Sequence, residues 1–274
     1  MFPLKDDLPT SRFPAITVAL IAINVLAYFI WQRGGITSGP DEAQMLTWGW
    51  IPWEIQHAGE QCSAAGDQIM CGSEIAGQPV AVTALTSMFM HGSVFHLGGN
   101  MLFLWIFGNN IEDGLGRVKF IGFYLAAGVA AIALQTLLSS GDDAAIPMIG
   151  ASGAIAGVLG GYVLLYPRAR VLTVVLIILF FTILRIPALV MLGVWFAQQA
   201  ILGALGLTET VGDGDGVAYF AHIGGFAFGL LAIKLLRPER NPIYDQLVAA
   251  RRNPQSRALT SPEAPARRGR RSRW

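Results

Sequence analysis

The stretch VLTVVLIILFFTILRIPALVMLGVWFAQQAILGALGL, residues 171–207, decides how this chain is folded, because an apolar run of this length can cross a bilayer once or twice. A helix needs about twenty apolar residues to span the hydrocarbon core. Whether the run crosses an odd or an even number of times sets the side on which everything after it emerges. Arg185-Ile186-Pro187 interrupts it, and proline breaks a helical hydrogen-bond ladder. We read 171–184 as a surface-lying or re-entrant piece and 186–207 as a single crossing.

Five further apolar segments are long enough to span: 14–31, 94–111, 120–138, 148–166 and 219–236. With 53% hydrophobic and 14% charged residues and a mean hydropathy of +0.51, the composition excludes an ordinary soluble enzyme. The expected fold class is an all-α polytopic membrane protein of six transmembrane helices. Its segments are an N-terminal stretch 1–13, a six-span domain 14–236 with a long outer loop 32–90, and a basic tail 237–274 too polar to bury a core and read as disordered.

The charges are sorted by loop. Lys5, Arg12, Arg117, Lys119, Arg168, Arg170, Arg237 and Arg240 fall on one side of a six-crossing count. Asp41, Glu42, Glu54, Glu60, Asp67, Glu74, Asp142, Asp143, Glu209, Asp213 and Asp215 fall on the other, with Arg33 and Arg185 as the basic exceptions. The positive-inside rule then makes both termini cytoplasmic, and a bacterial inner (plasma) membrane is the expected location. The first span lacks a small-residue cleavage site and reads as a retained anchor. Membrane lipids are expected partners, the basic tail among the groups that attract them; no nucleic acid is expected.

The two cysteines, Cys62 and Cys71, sit in the outer loop, where an oxidising exterior permits a disulfide; two free thiols are the alternative. Neither has the neighbours a metal site needs, so no metal or other cofactor is expected. Trp48-Gly-Trp50-Ile-Pro-Trp53 in that loop suits the headgroup level of a membrane surface.

Three polar features remain inside apolar segments, where such groups are costly and mark a site or a packed contact. His96 and Asn100 are four apart and share one helix face. Ser152 lies in Gly150-Ala-Ser152-Gly153, and His222 opens the last span ahead of Gly225 and Gly229, a small-xxx-small pair that admits a close helix neighbour. Each alone reads as packing. Counting crossings, however, puts all three at the same depth, in the outer half of the bilayer.

A serine hydroxyl needs an adjacent base, and imidazole is the usual one, so Ser152 and His222 form a candidate nucleophile and base. Attack on an amide creates an oxyanion that needs fixed donors; His96, Asn100 and the Ser152 backbone N–H can supply them. Gly150 and Gly153 allow the sharp turn around the serine, and the helix N-terminus adds positive partial charge. No Asp within a span is available to orient the histidine, so this is a dyad.

Gly150-Ala-Ser152-Gly153, His96-x-x-x-Asn100 and Ala221-His222-x-Gly-Gly225-x-x-x-Gly229, in their order on three spans, resemble the rhomboid intramembrane serine proteases. The resemblance covers roughly residues 14 to 236. It implies the roles just given, membrane-anchored protein substrates cut beside a small residue near a weakly helical segment, and a structural role for His91. The chain departs from the family pattern in carrying Ala156 where many members have an aromatic residue stacking on the catalytic imidazole. It also lacks a Trp-Arg pair common in the first outer loop. The first departure bears on the orientation of His222.

Other classes fit less well. Gly212-Asp213-Gly214-Asp215 matches an aspartyl intramembrane protease string but falls in a polar loop, without a second carboxylate across a span. Calcium binding there lacks further ligands, and zinc proteolysis lacks His-Glu-x-x-His. A catalytically inactive rhomboid-like protein binding client transmembrane helices is the remaining alternative; a small transporter would show an inverted repeat of broken helices, which is not found.

Overall fold

The computed structural model describes residues 2–252 apart from 66, 67, 74, 76, 178, 179 and 206–217. Asp67, Glu74, the acidic stretch 209–215 and the tail 253–274 therefore lie outside the described residues. Six apolar helices carry the architecture: α1 (Ala15–Leu26, continued by a π turn to Trp31), α5 (Val94–Phe103, continued through a π turn into α6, Asn109–Leu115), α7 (Arg117–Leu138), α8 (Ser152–Leu165), α9 (Ala188–Ala204) and α10 (Tyr219–Leu236). The loop between α1 and α5 holds α2 (Glu42–Trp48), α3 (Pro52–Gln56), the hairpin β2 (Gln61–Ala65) and β3 (Gln68–Gly72), and α4 (Val80–Thr86). By length and composition α7 and α10 can each cross a membrane. The bent pair Val80–Phe89 and Val94–Leu115, kinked by 83°, is a third candidate. Ala15–Trp31, Ser152–Leu165 and Ala188–Ala204 are shorter apolar helices.

Outward-facing apolar side chains distinguish this assembly from a soluble bundle. Leu231 is 68% exposed, Leu235 82%, Val129 53% and Ile201 58%. Such surfaces are at rest in lipid, where they gain nothing by burial, and are a liability in water. The interior is instead built from aromatic rings and glycine: Tyr28, Tyr124, Tyr162, Tyr166, Phe107 and Phe120 are fully buried.

Glycine contacts fix the helix directions. A Cβ at Gly225 would fall on the carbonyl oxygen of Gly153, and one at Gly229 on that of Gly157, so α8 and α10 run parallel at backbone contact. Gly153 and Gly157 meet Ala131 and Ala127 in reverse order, so α7 is antiparallel to α8. Phe107 packs on Tyr162 at 4.9 Å while the His96 ring lies beside Gly150, so α5 is parallel to α8. The starts of α5, α8 and α10 thus share one end of the molecule, with Asp142 and Asp143 just beyond the end of α7. Arg117, Arg168 and Arg237 sit at the opposite end.

Two elements differ from the sequence reading. Two antiparallel strands, β4 (Arg170–Ile177) and β5 (Phe180–Pro187), pair with Arg170 opposite Pro187. The strand β1 (Phe2–Asp6) adds to the edge of β4, giving the order β1-β4-β5. Among the described residues the fold is therefore mostly helical with two small sheets, not all-α, and the piece read as surface-lying or re-entrant is built of strands. Because the strand pair ends where it began, it leaves α9 to run from the arginine end toward the site. The tail expected to be disordered from 237 also begins as a helix, α11 (Pro242–Arg252). Arg251 pairs with Asp7, and the Tyr244 hydroxyl accepts from Arg168 N at 3.1 Å.

Buried carboxylates lock the arginine end. Glu112, 3% exposed, accepts from Ile16 N at 3.0 Å and Thr17 N at 2.8 Å, capping the orphan donors that open α1. Asp6 accepts from Asn110 Nδ2 at 2.8 Å and from the Tyr162 hydroxyl at 2.6 Å, tying β1 to α6 and α8. Burial, the largest influence, raises its carboxyl from 3.8 to about 7 despite the Tyr162 hydrogen bond.

Within the Trp-rich loop, one ring is turned inward. Trp50 is 8% exposed and donates from Nε1 to Thr136 Oγ1 at 2.8 Å, while its backbone bridges Met148. Its indole donor is used to pin the loop across the end of α7, not at a headgroup. Cys62 and Cys71 face each other in register across β2 and β3, with their sulfurs at bonding distance.

Candidate functional site

Ser152 is the first residue of α8, so its N–H is among those without an intrahelical acceptor. Gly150 ahead of it has φ +129°, a conformation L side chains rarely adopt, and a Cβ there would come within 3.0 Å of the His96 ring. Both facts demand glycine. The segment is held by Gly150 N donating to Ser87 O at 2.8 Å and Met148 N to Trp50 O at 2.7 Å.

His222 lies in the first turn of α10, and the glycine contacts of α8 with α10 bring it to Ser152: Nε2 and Oγ are 2.8 Å apart. The start of α10 is steadied by Gln135 of α7, whose Oε1 accepts from Ala221 N at 3.0 Å. On the far side of the imidazole, Nδ1 is 2.7 Å from Oε1 of Gln199 on α9, and the indole of Trp195 lies 5.7 Å from the ring centre. Sequence reading singled out neither residue. A Gln198-Gln199 pair inside an apolar helix, one turn after a Trp, is the signal that could have found them.

His96, in the first turn of α5, lies against Gly150, its backbone capped by the Ser93 side chain at 3.1 Å. Asn100 is one turn further along the same face and 9% exposed; its amide nitrogen has no hydrogen-bond partner among the described residues. Leaving a buried donor unpaired costs about 1–3 kcal/mol, a cost that site-building groups carry more often than packing groups. His91 is fully buried, packs edge-on against His96 at 5.1 Å, and exchanges two hydrogen bonds of 2.9 and 3.1 Å between its backbone and the Gln32 side chain. Burial, and then the neighbouring His96, hold its imidazole down to about 3, so it is neutral at any ordinary pH.

Ser152, His222, His96 and Gly150 thus converge, with Asn100 adjoining. Beside Ser152 is a cavity of about 30 Å³ lined by Ser87, Met88, Gly128, Ala131 and Ile132 among others. It has room for one water or a very small side chain. Among the described residues no cluster of His, Cys, Asp and Glu could hold a metal ion.

A serine and a histidine in hydrogen-bond contact between two glycine-packed helices, inside an apolar helical assembly, define the class of membrane-embedded helical protein to which the comparisons then give a family. Residues 79–239 match the Rhomboid domain, and the chain belongs to the rhomboid family. It is 33% identical over 154 residues to Rhomboid protein 1, mitochondrial, of Saccharomyces cerevisiae, covering 55% of this chain and 40% of that protein. It is 30% identical over 178 residues to the mouse (Mus musculus) Presenilin-associated rhomboid-like protein, mitochondrial, covering 62% and 43%. RHOMBOID-like protein 4 of Arabidopsis thaliana is 32% identical over 163 residues, covering 56% and 34%. The chain thus matches well under half the length of these relatives. The bacterial plasma membrane expected from the sequence is corrected by these matches, since the yeast and mouse relatives are mitochondrial proteins. Charge sorting among loops reports sidedness only, and cannot tell one membrane from another.

Proposed function

We propose that the chain is an intramembrane serine endopeptidase that cuts membrane-anchored proteins in or near their transmembrane segments. The observation that carries this is the 2.8 Å approach of Ser152 Oγ to His222 Nε2. In this reading α1, α5 with α6, α7, α8, α9 and α10 make six crossings over 14–236, with 1–13 and the tail on the arginine-rich side. The shorter helices cross where the bilayer thins or the flanking loops sit within the headgroups.

His222 takes the Ser152 proton as Oγ attacks the scissile carbonyl and gives it to the amine as the carbon–nitrogen bond breaks; water then attacks the acyl-enzyme, passing a proton through His222 to Oγ as the acyl fragment leaves. The developing oxyanion is met by the Ser152 N–H at the start of α8, by His96, and by the unpartnered Asn100 amide. The small cavity beside Ser152 favours substrates with a small residue at the cut. Placing the reaction at helix ends near the bilayer surface brings a water-consuming step within reach of water. Cys62 and Cys71 form a disulfide in this proposal and take no part in the chemistry. The test is cleavage of a single-span model substrate by detergent-purified protein. Wild type should give two fragments and Ser152→Ala none; cleavage by the Ser152→Ala protein overturns the reading.

A further inference from the structure

The proposed chemistry demands more of His222 than nearness to Ser152. Its Nε2 must be unprotonated and aimed at Oγ, and the ring must not turn about χ2 as the proton arrives. In many rhomboids an aromatic residue four positions after the serine holds the ring; here that position is Ala156, which is fully buried and has no ring to offer.

Helix α9 supplies both restraints. Gln199 is 6% exposed, and its Oε1 lies 2.7 Å from His222 Nδ1. An amide oxygen can only accept, so Nδ1 carries the proton and Nε2 presents its lone pair to Ser152 Oγ, 2.8 Å away. One turn earlier on the same face, Trp195 packs beside the imidazole, tilted by 38° with ring centres 5.7 Å apart. Trp195 is itself held against Phe226 at 6.2 Å, and Phe196 stacks on Phe226 at 4.6 Å, so this face of α9 is anchored to the helix that bears His222.

We propose that Gln199 is a positioning residue that completes a hydrogen-bonded chain Ser152–His222–Gln199, with Trp195 bracing the ring in place of the missing aromatic. The inference rests on the protease reading above. When Oγ bonds to the carbonyl carbon, its proton moves to Nε2; the Nδ1 proton stays on nitrogen, hydrogen-bonded to Gln199, which neither gains nor loses a proton. Nε2 then releases its proton to the leaving amine. A neutral amide suits this place. A carboxylate would stabilise the imidazolium more, but ionised between apolar helices it carries a desolvation penalty that one hydrogen bond does not offset.

The test uses the full chain in detergent with the single-span substrate, with kcat and KM measured separately and Ser152 also labelled with a fluorophosphonate. Gln199→Met keeps length and apolar volume but accepts only weakly. It should lower kcat about 10- to 1000-fold, less than the roughly 10⁴-fold loss when a carboxylate orienter is made an amide in a soluble triad. KM should stay within about twofold, labelling should slow in proportion, and the melting temperature should hold. Gln199→Glu should recover part of the rate, because its side-chain oxygen can accept the same hydrogen bond from Nδ1 while the desolvation of the carboxyl limits the gain. Wild-type kcat in Gln199→Met overturns the inference and leaves the protease reading intact. So does a loss confined to KM with labelling unchanged, which would mean α9 acts on substrate entry, and so does failure of Gln199→Glu to recover. A wild-type protein that neither cleaves nor labels overturns both.

Discussion

Gly225 of α10 rests on the carbonyl oxygen of Gly153 in α8, so closely that no side chain fits between them. Ser152 and His222 are the preceding residue and the residue three before, so this contact sets the Oγ to Nε2 distance. Gly225→Ala should force the helices apart, lower the melting temperature by an amount corresponding to roughly 1–3 kcal/mol of overpacking, and reduce cleavage further than that loss explains. Gly122→Ala, where a Cβ meets nothing within 4 Å, is the matched control and should leave both unchanged. Equal behaviour of the two variants in thermal unfolding and cleavage would show that the glycine contact does not hold the site.

Stability should depend on pH through Asp6. Its carboxyl rises from 3.8 to about 7 on folding, so the folded state favours the protonated form. The stabilisation is complete below pH 4, drains away as pH climbs toward 7, and is flat above. With about 1.4 kcal/mol per unit, the swing is at most on the order of 4 kcal/mol. Asp6→Asn keeps an oxygen for Asn110 and Tyr162 and removes the ionisation. Melting temperatures measured from pH 5 to 8 should fall with pH in wild type and change less in the variant; parallel curves would remove Asp6 as the source.

The hairpin of Cys62 and Cys71 lies on the site end of the molecule but is joined to none of the reacting groups. Non-reduced peptide mapping should find the two linked, and a Cys62→Ser, Cys71→Ser protein should cleave at the wild-type rate while melting lower. Recovery of both as free thiols from protein purified without reductant would discard the bond.

The apolar helices are legible in the sequence because long apolar runs are visible without any knowledge of packing, although Ala15–Trp31, Ser152–Leu165 and Ala188–Ala204 are shorter than the segments that mark them. The candidate site is legible for a related reason: polar groups in apolar segments are few, so Ser152, His222, His96 and Asn100 stand out. The β4–β5 pair is not, since a short apolar run has no period that separates strand from helix; only its wealth of Val, Ile and Thr hinted at pleated structure. Helix α11 hides in a tail whose polar composition masks one apolar face, with Tyr244 buried beneath it. Gln199 hides differently: its role depends on the antiparallel pairing of α9 with α10, a tertiary fact that spacing along one helix does not contain.

Non-additivity separates a nucleophilic unit from a packing contact. Ser152→Ala, His222→Ala and the double variant should fall to one common floor, because groups that act together cannot be lost twice. Asn100→Ala should keep a measurable rate, lower by about tenfold to a thousandfold, since the Ser152 N–H and His96 still face the oxyanion. His91→Ala should lower yield and melting temperature more than turnover, for its ring is sealed in the interior and its backbone is tied to Gln32. If Ser152 were only a small residue at a helix contact, alanine would fill its place and cleavage would persist. Single-turnover cleavage by the five variants, each checked for folding, distinguishes the cases: additive losses from Ser152 and His222 would mean that the two side chains, 2.8 Å apart, do not work on the same proton.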